Sequence, residues 1–204
     1  MHLIDQRLLG IGILFLLAML VVVKRFTTGS ILDKPKGSFL VQLVNVFNLF
    51  FLLVVNPAAA VLLVTRRLAL IDFARVTIHP PWLLLAFEII GLLIYVLGFL
   101  LMAWALIALG RNYQLGGSSP RSEDRLVEAS PYRLIRHPMY TSALSISLGL
   151  TFLVQSWVFL GVFAIYLVLI LLLVPLEEEG LRKAFGEAYA SYRQKTRKLV
   201  PFIF

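Results

Sequence analysis

Four long apolar runs, residues 8–23, 39–64, 82–109 and 141–174, leave this chain little choice of fold. An α-helix crosses the roughly 30 Å hydrocarbon layer in about 20 residues, and lipid offers the backbone no partners, so every N–H and C=O must be paired within the helix. A soluble domain of 204 residues has too small an interior to enclose four such segments. The hydrophobic share of 60% also exceeds the usual apolar share of soluble proteins, about 45–50%. The chain therefore reads as an all-α, polytopic membrane protein.

The first run lies between Arg7 and Lys24. No small-x-small cleavage site follows it, so it reads as a retained helix and not a signal peptide. The second contains Asn45, Asn48, Asn56 and Pro57, and the third contains Glu88. At about 1.5 Å per residue the fourth would make a helix of roughly 50 Å, far longer than one crossing. It must double back, and the polar pair Gln155 and Ser156 before the interfacial Trp157 marks the corner. The expectation is five transmembrane helices.

Charge tests that number independently. Five crossings gather all 19 lysines and arginines except Arg7, Arg66, Arg67 and Arg75 on one side, whereas a single crossing by 141–174 would erase the bias. Basic residues concentrate in cytoplasmic loops, which predicts an amino terminus outside and a carboxyl terminus in the cytoplasm. The net charge of +8 is then a topological signature with an attraction for anionic membrane lipids, and no nucleic-acid partner is expected. Cysteine is absent, which removes disulfides and thiolate chemistry, and three histidines, His2, His79 and His137, give no basis for a metal centre.

The chemically capable residues concentrate in two places. A hairpin over 141–174 returns both its ends to the same face, so "RHPMY" at 136–140 and "PLEEEG" at 175–180 become neighbours. After Pro175 the spacing of Leu181, Phe185, Tyr189 and Tyr192 predicts a separate amphipathic helix. Acids in a first helical turn are ordinary, since that end is electropositive. Three in succession beside an arginine cluster point instead to a cationic ligand. A snorkelling cluster at the membrane edge accounts for the arginines but not for the histidine and tyrosines around Pro138. Rings at a helix start suit a flat heterocycle or an anion. Glu88 is an intramembrane acid and so a functional suspect, its role left open. The three asparagines read as interhelical hydrogen-bonding groups, and the small residues from Ser142 to Gly149 as a close-packing face.

Taken together, "LVEASPYRLIRHPMY", the apolar hairpin, "EEEGLRKAFGEAYASYRQK" and the closing "VPFIF" resemble the isoprenylcysteine carboxyl methyltransferase family over residues 111–204. The chain is similar to a short, five-helix prokaryotic member, which implies the plasma membrane as its setting. The resemblance implies three amino-terminal transmembrane helices over 1–109 and a cofactor-binding catalytic region over 110–204, the latter comprising the hairpin and the carboxyl-terminal helix. It implies an enzyme that uses S-adenosylmethionine, yielding S-adenosylhomocysteine, to methylate the carboxylate of a prenylated cysteine or similar lipophilic acid drawn from the inner leaflet. By the same resemblance Leu126 and Val127 offer backbone bonds to adenosine, and Tyr132, His137, Pro138 and Tyr140 line its pocket. Gln114 joins that set, with Glu177 meeting the donor's amino group or ribose. Arg136 and Glu178 are expected at the catalytic centre, Arg136 facing the carboxylate of donor or acceptor. Ser130 and Ser142 stand where the family often has glycine.

Three other readings compete. A phospholipid or amine N-methyltransferase shares the cofactor but must deprotonate an ammonium, which requires a base such as Glu88 or His137. An NADPH-dependent membrane reductase of related fold lacks its glycine fingerprint here, since "GIG" at 10–12 falls inside a membrane span. A non-enzymatic scaffold would merely pair the basic and acidic clusters.

Overall fold

The computed structural model describes residues 3–30, 38–113 and 124–200. Helix α1 is Gln6–Thr28, α2 Phe39–Phe50, α3 Asn56–Val64, α4 Leu68–Ile71, α5 Pro81–Leu109, α6 Pro138–Val154 and α7 Trp157–Lys195. A π-helical turn, Phe51–Val55, joins α2 to α3 into one apolar helix of 26 residues, the expected second span. Among the described residues four helices have the length and apolarity to cross a membrane, and α6 is a shorter apolar one of 17 residues. The helix starts follow ordinary chemistry. Asp5 and Ser38 accept first-turn amides of α1 and α2, Ser156 does so for α7, and Pro81 and Pro138 open α5 and α6 where a missing N–H costs nothing. Gly29 closes α1 with a left-handed backbone, φ 77°.

The hairpin turns where the sequence predicts. Gln155 takes a left-handed conformation between α6 and α7, and at 17 residues α6 is only roughly 25 Å long. The segment before α5 straps this corner, with Val76 N donating to Gln155 O at 2.7 Å, Trp157 N to Ala74 O at 2.9 Å, and Ser156 Oγ to Asp72 Oδ1 at 2.9 Å.

No new helix begins at Pro175. α7 runs through Pro175, which withholds one N–H from the ladder, and kinks at Gly186, φ 54°, where a carboxyl-terminal helical segment sets off from the apolar one. Glu177, Glu178 and Glu179 therefore stand five turns into a helix, and the helix-start explanation for the acids no longer applies. From Trp157 to Val174 α7 carries no charge, so the crossing part ends there and the charged remainder projects beyond it.

α5 and α6 pack closely through glycine. A Cβ on Gly149 would lie 2.6 Å from Tyr95 N and 2.8 Å from Gly91 O, so only glycine allows this approach. Gly10 of the "GIG" motif likewise abuts the Ala60 carbonyl and Val64 of α3, a packing role. Asn56 bridges helices as expected. Tyr95 Oη donates to its Oδ1 at 2.8 Å, while its Nδ2 donates to Phe51 O, a carbonyl of the π turn, at 3.0 Å.

The two ends of the bundle differ in character. At one, buried Glu88 accepts the amides of Leu3 at 3.1 Å and Ile4 at 2.9 Å and faces Gln155 Nε2 at 3.5 Å, while Asp5 pairs with Arg66 at 3.0 Å. The other end holds a cavity.

Candidate functional site

The cavity, of about 260 Å³, is walled by the loop before α6, the first turn of α6 and the projecting part of α7, with α1, α2 and α5 supplying the opposite side. Leu126, Val127 and Tyr132 line it from the loop, and Arg136 and His137 from the approach to α6. Pro138 and Tyr140 of α6 and Glu177 of α7 complete that wall. Residues about 40 apart in sequence thus share one site. Gln114 lies outside the described residues. Glu178 is buried behind the wall and does not line it.

Four backbone and side-chain bonds hold the wall in place. Arg136 N donates to Arg197 O at 2.7 Å, His137 N to Lys198 O at 3.0 Å, Arg197 N to Leu134 O at 3.2 Å, and Thr141 Oγ1 to Leu199 O at 2.6 Å. Residues 196–199 therefore run alongside 134–137 in the parallel sense, a pairing the sequence reading missed. Nothing in "TRKLV" announces it, because a strand pairing this short has no periodicity. Arg136 completes the lock. Its Nε donates to Glu178 Oε1 at 2.8 Å, and its Nη1 reaches the carbonyls of Thr196 and, at 3.2 Å, Arg193. Tyr192 Oη also donates to Tyr132 O at 2.8 Å. Arg136 and Glu178 are thus bonded to each other, and Arg136 also to the backbone, while Arg136 keeps a place in the cavity lining.

The groups that face inward form a second cluster. Tyr140 Oη donates to Glu177 Oε2 at 2.6 Å, and the rings of His137 and Tyr140 stack with centroids 5.7 Å apart and planes 21° off parallel. His137 lies between the acids, Nδ1 at 3.9 Å from Glu177 Oε2 and Nε2 at 3.5 Å from Glu178 Oε1. Burial alone would raise the Glu178 carboxyl, but His137 and the Arg136 guanidinium outweigh it and hold the group at about 2. Burial, then the charge of Glu177, pushes the Tyr132 phenol well above its ordinary value, so it stays protonated. Tyr189 also lines the cavity, and its buried hydroxyl has no hydrogen-bond partner among the described residues. From the sequence Tyr189 entered only as one position on the face of the amphipathic helix.

Two expectations from the spans divide here. Asn45 and Asn48 line the cavity instead of serving only as interhelical glue; from sequence the two look alike, since both point a polar atom inward. Glu88 sits at the opposite end of the bundle and does not line the cavity.

Residues 87–188, half of the chain, match the phospholipid methyltransferase family. The chain belongs to that family. The matched stretch takes in most of α5, the loop, α6 and the acid-bearing part of α7, and so includes most of the cavity lining. Among curated relatives, protein-S-isoprenylcysteine O-methyltransferase B of Arabidopsis thaliana is 30% identical over 115 residues, covering 55% of this chain and 58% of that protein. A probable protein-S-isoprenylcysteine O-methyltransferase of Oryza sativa subsp. japonica is 30% identical over 118 residues, covering 56% and 61%. The chain spans about three-fifths of the length of these relatives. Among solved structures, the eukaryotic intramembrane Ras methyltransferase ICMT (isoprenylcysteine carboxyl methyltransferase) superposes with TM-score 0.52 at 19% identity, over 95% of this chain and 85% of that one. At that identity the match establishes a shared fold. The resemblance read from the motifs is borne out at the level of family, and the chain is an integral membrane protein.

Proposed function

We propose that this chain is an S-adenosylmethionine-dependent methyltransferase of the membrane, acting on the carboxylate of a prenylated cysteine or a similar lipophilic acid. The observation that carries this reading is the convergence of His137 and Tyr140, at the start of α6, with Glu177 of α7 on one cavity wall. These residues fit the donor's chemistry. The Glu177 carboxylate, fixed by Tyr140, suits a cationic or ribose hydroxyl group; the stacked rings and the loop backbone at Leu126 and Val127 suit a flat base; and the unpartnered Tyr189 hydroxyl offers a further polar contact. When bound, S-adenosylmethionine would supply an electrophilic methyl group on a positively charged sulfur. A carboxylate acceptor, with pKa near 4, is already ionised at pH 7, so the chain needs no general base. Its own residues then have two tasks, to orient the acceptor oxygen and to exclude water. The Arg136–Glu178 lock serves the first by fixing the wall, and the apolar side formed by α1, α2 and α5 serves the second.

The family description favours a second reading, methylation of a phospholipid amine. That chemistry needs a base, and of the two residues considered for it Glu88 lies at the wrong end, leaving His137. We further infer that the cavity faces the cytoplasm, with the amino terminus outside, since the basic residues gather at the cavity end. The test is purified protein with labelled methyl donor and three acceptors: a farnesylated cysteine analogue, phosphatidylethanolamine and unprenylated cysteine. Label in the first alone, with a rate flat down to about pH 6, supports carboxylate methylation. Label in the phospholipid, falling with acid, replaces it, and failure to bind S-adenosylmethionine in calorimetry ends the methyltransferase reading.

A further inference from the structure

The cavity reaches into the membrane-crossing part of the bundle, where an unsatisfied polar side chain is costly. On α7 the lining extends from Glu177 to Tyr166, which stands eight residues before Val174 and so about 12 Å inside the crossing part. Facing it on α2 is Asn48, and Leu52 and Leu53 follow about one turn deeper. The rings of Phe47 and Phe51 lie against the Tyr166 ring, centroids 5.0 and 5.7 Å away, which sets Tyr166 at the level of Asn48.

Tyr166 is 1% exposed, yet neither its hydroxyl nor the Asn48 amide makes a hydrogen bond among the described residues. Asn56, further along the same span, shows the contrast: its two polar atoms are taken by Tyr95 and by the π turn. A polar group left without a partner in such a place costs about 1–3 kcal/mol, and polar groups within a membrane mark ligand sites when packing does not satisfy them. The lining around the pair is graded. The Tyr140–Glu177 cluster lies toward one end, and Leu52, Leu53 and Ile146 toward the other. A ligand with a polar head and an apolar chain matches that gradient, its head at the level of Asn48 and its chain beyond.

The chemistry of the two groups narrows the head. The tyrosine O–H and the asparagine NH2 both donate, and both are neutral. Donated to a carboxylate, such bonds are charge-assisted, and they orient one oxygen without neutralising the anion.

We propose that Asn48 and Tyr166 hold the carboxylate of the acceptor where the polar part of the cavity meets its apolar end. The inference rests on the methyltransferase reading for the identity of the acceptor, and it places acceptor recognition on α2 and the crossing part of α7, outside the "RHPMY" and "PLEEEG" segments.

The test measures binding to the full chain in lipid nanodiscs, without methyl donor, of N-acetyl farnesylcysteine and of N-acetyl farnesylcysteamine, which differs only in lacking the carboxylate. Tyr166→Phe keeps the ring against Phe47 and Phe51, and Asn48→Leu keeps the side chain's size. Each is expected to weaken the carboxylate ligand by roughly tenfold, the loss of one hydrogen bond to a charged group, and to leave the cysteamine ligand unchanged. Unchanged carboxylate affinity in either variant, or equal weakening of both ligands, overturns the proposal. S-adenosylmethionine affinity is expected to hold in both variants; its loss would place the two groups at the donor and likewise overturn the proposal. Failure of the unsubstituted protein to bind S-adenosylmethionine would instead remove the methyltransferase reading, and the comparison of the two farnesyl ligands would still decide for or against Asn48 and Tyr166.

Discussion

Removing the Glu178 carboxylate should unfasten the cavity wall, and the size of the effect follows from burial. The Arg136 and Glu178 side chains are 5% and 8% exposed and meet at 2.8 Å. Deleting one partner of such a pair strands the other as an uncompensated buried charge, at a cost of about 3–5 kcal/mol. For a protein of this size each kcal/mol moves Tm by about 2–4 °C, so Glu178→Ala should lower Tm by roughly 6–20 °C at pH 7. Tryptophan fluorescence of detergent-purified protein reads this directly. The same pair predicts an acid limb. The Glu178 carboxyl ordinarily titrates at 4.5 and is held at about 2, a depressed value, so its contribution is complete above pH 4.5 and is lost as pH falls from 4.5 toward 2. Glu178→Gln should flatten that limb. Replacing both partners, as Arg136→Met with Glu178→Leu, should recover much of the lost stability because no charge remains stranded, yet donor affinity should stay low, since Thr196 and Arg193 still lose their donor. A Tm change below about 2 °C in Glu178→Ala, or an unchanged acid limb in Glu178→Gln, would refute the reasoning.

Other substitutions probe the site and its frame. Tyr140→Phe removes the 2.6 Å bond to Glu177 while keeping the ring stacked on His137, so S-adenosylmethionine affinity in calorimetry should fall by roughly tenfold with little change in Tm. Gly149→Ala places a methyl against the backbone of Tyr95 and Gly91, which cannot swing aside, and should destabilise by about 1–3 kcal/mol in denaturation measurements. Because the chain has no cysteine, single substitutions report sidedness: a membrane-impermeant maleimide should label Ala69→Cys in intact cells and Glu187→Cys only after permeabilisation. Glu88→Gln weakens the hold on the Leu3 and Ile4 amides, so proteolysis of the amino-terminal residues should accelerate while methyl transfer at the far end keeps its rate.

Much of the architecture was written in hydropathy and charge. The spans, the corner at Gln155 and the meeting of Arg136 with Glu178 all follow from helix length against bilayer thickness, a constraint that acts residue by residue. The errors fell where local rules lose authority. Pro175 stops an isolated helix, but inside a packed bundle one missing N–H is tolerated, and the break moved to Gly186. Asn45 and Asn48 could not be told from Asn56, because a polar atom facing inward says nothing about whether a helix or a hollow lies opposite. The parallel pairing of 134–137 with 196–199 left no trace, since its bonds are backbone bonds that almost any side chains permit.

The continuity of α7 changes what the acids are for. Had a new helix begun after Pro175, its electropositive first turn would have stabilised Glu177, Glu178 and Glu179 without reference to any ligand. Standing mid-helix, they have no such support and must find partners individually. Glu179 takes Lys183 on the exposed face at 2.7 Å, Glu178 takes Arg136, and Glu177 takes only the neutral Tyr140 hydroxyl directly, with His137 at 3.9 Å. Of three adjacent carboxylates, the one facing the cavity is therefore the one without a lysine or arginine counter-ion among the described residues. A mid-helix carboxylate left in that condition lowers its free energy by meeting a cation, and the cavity is where a cationic donor would meet it.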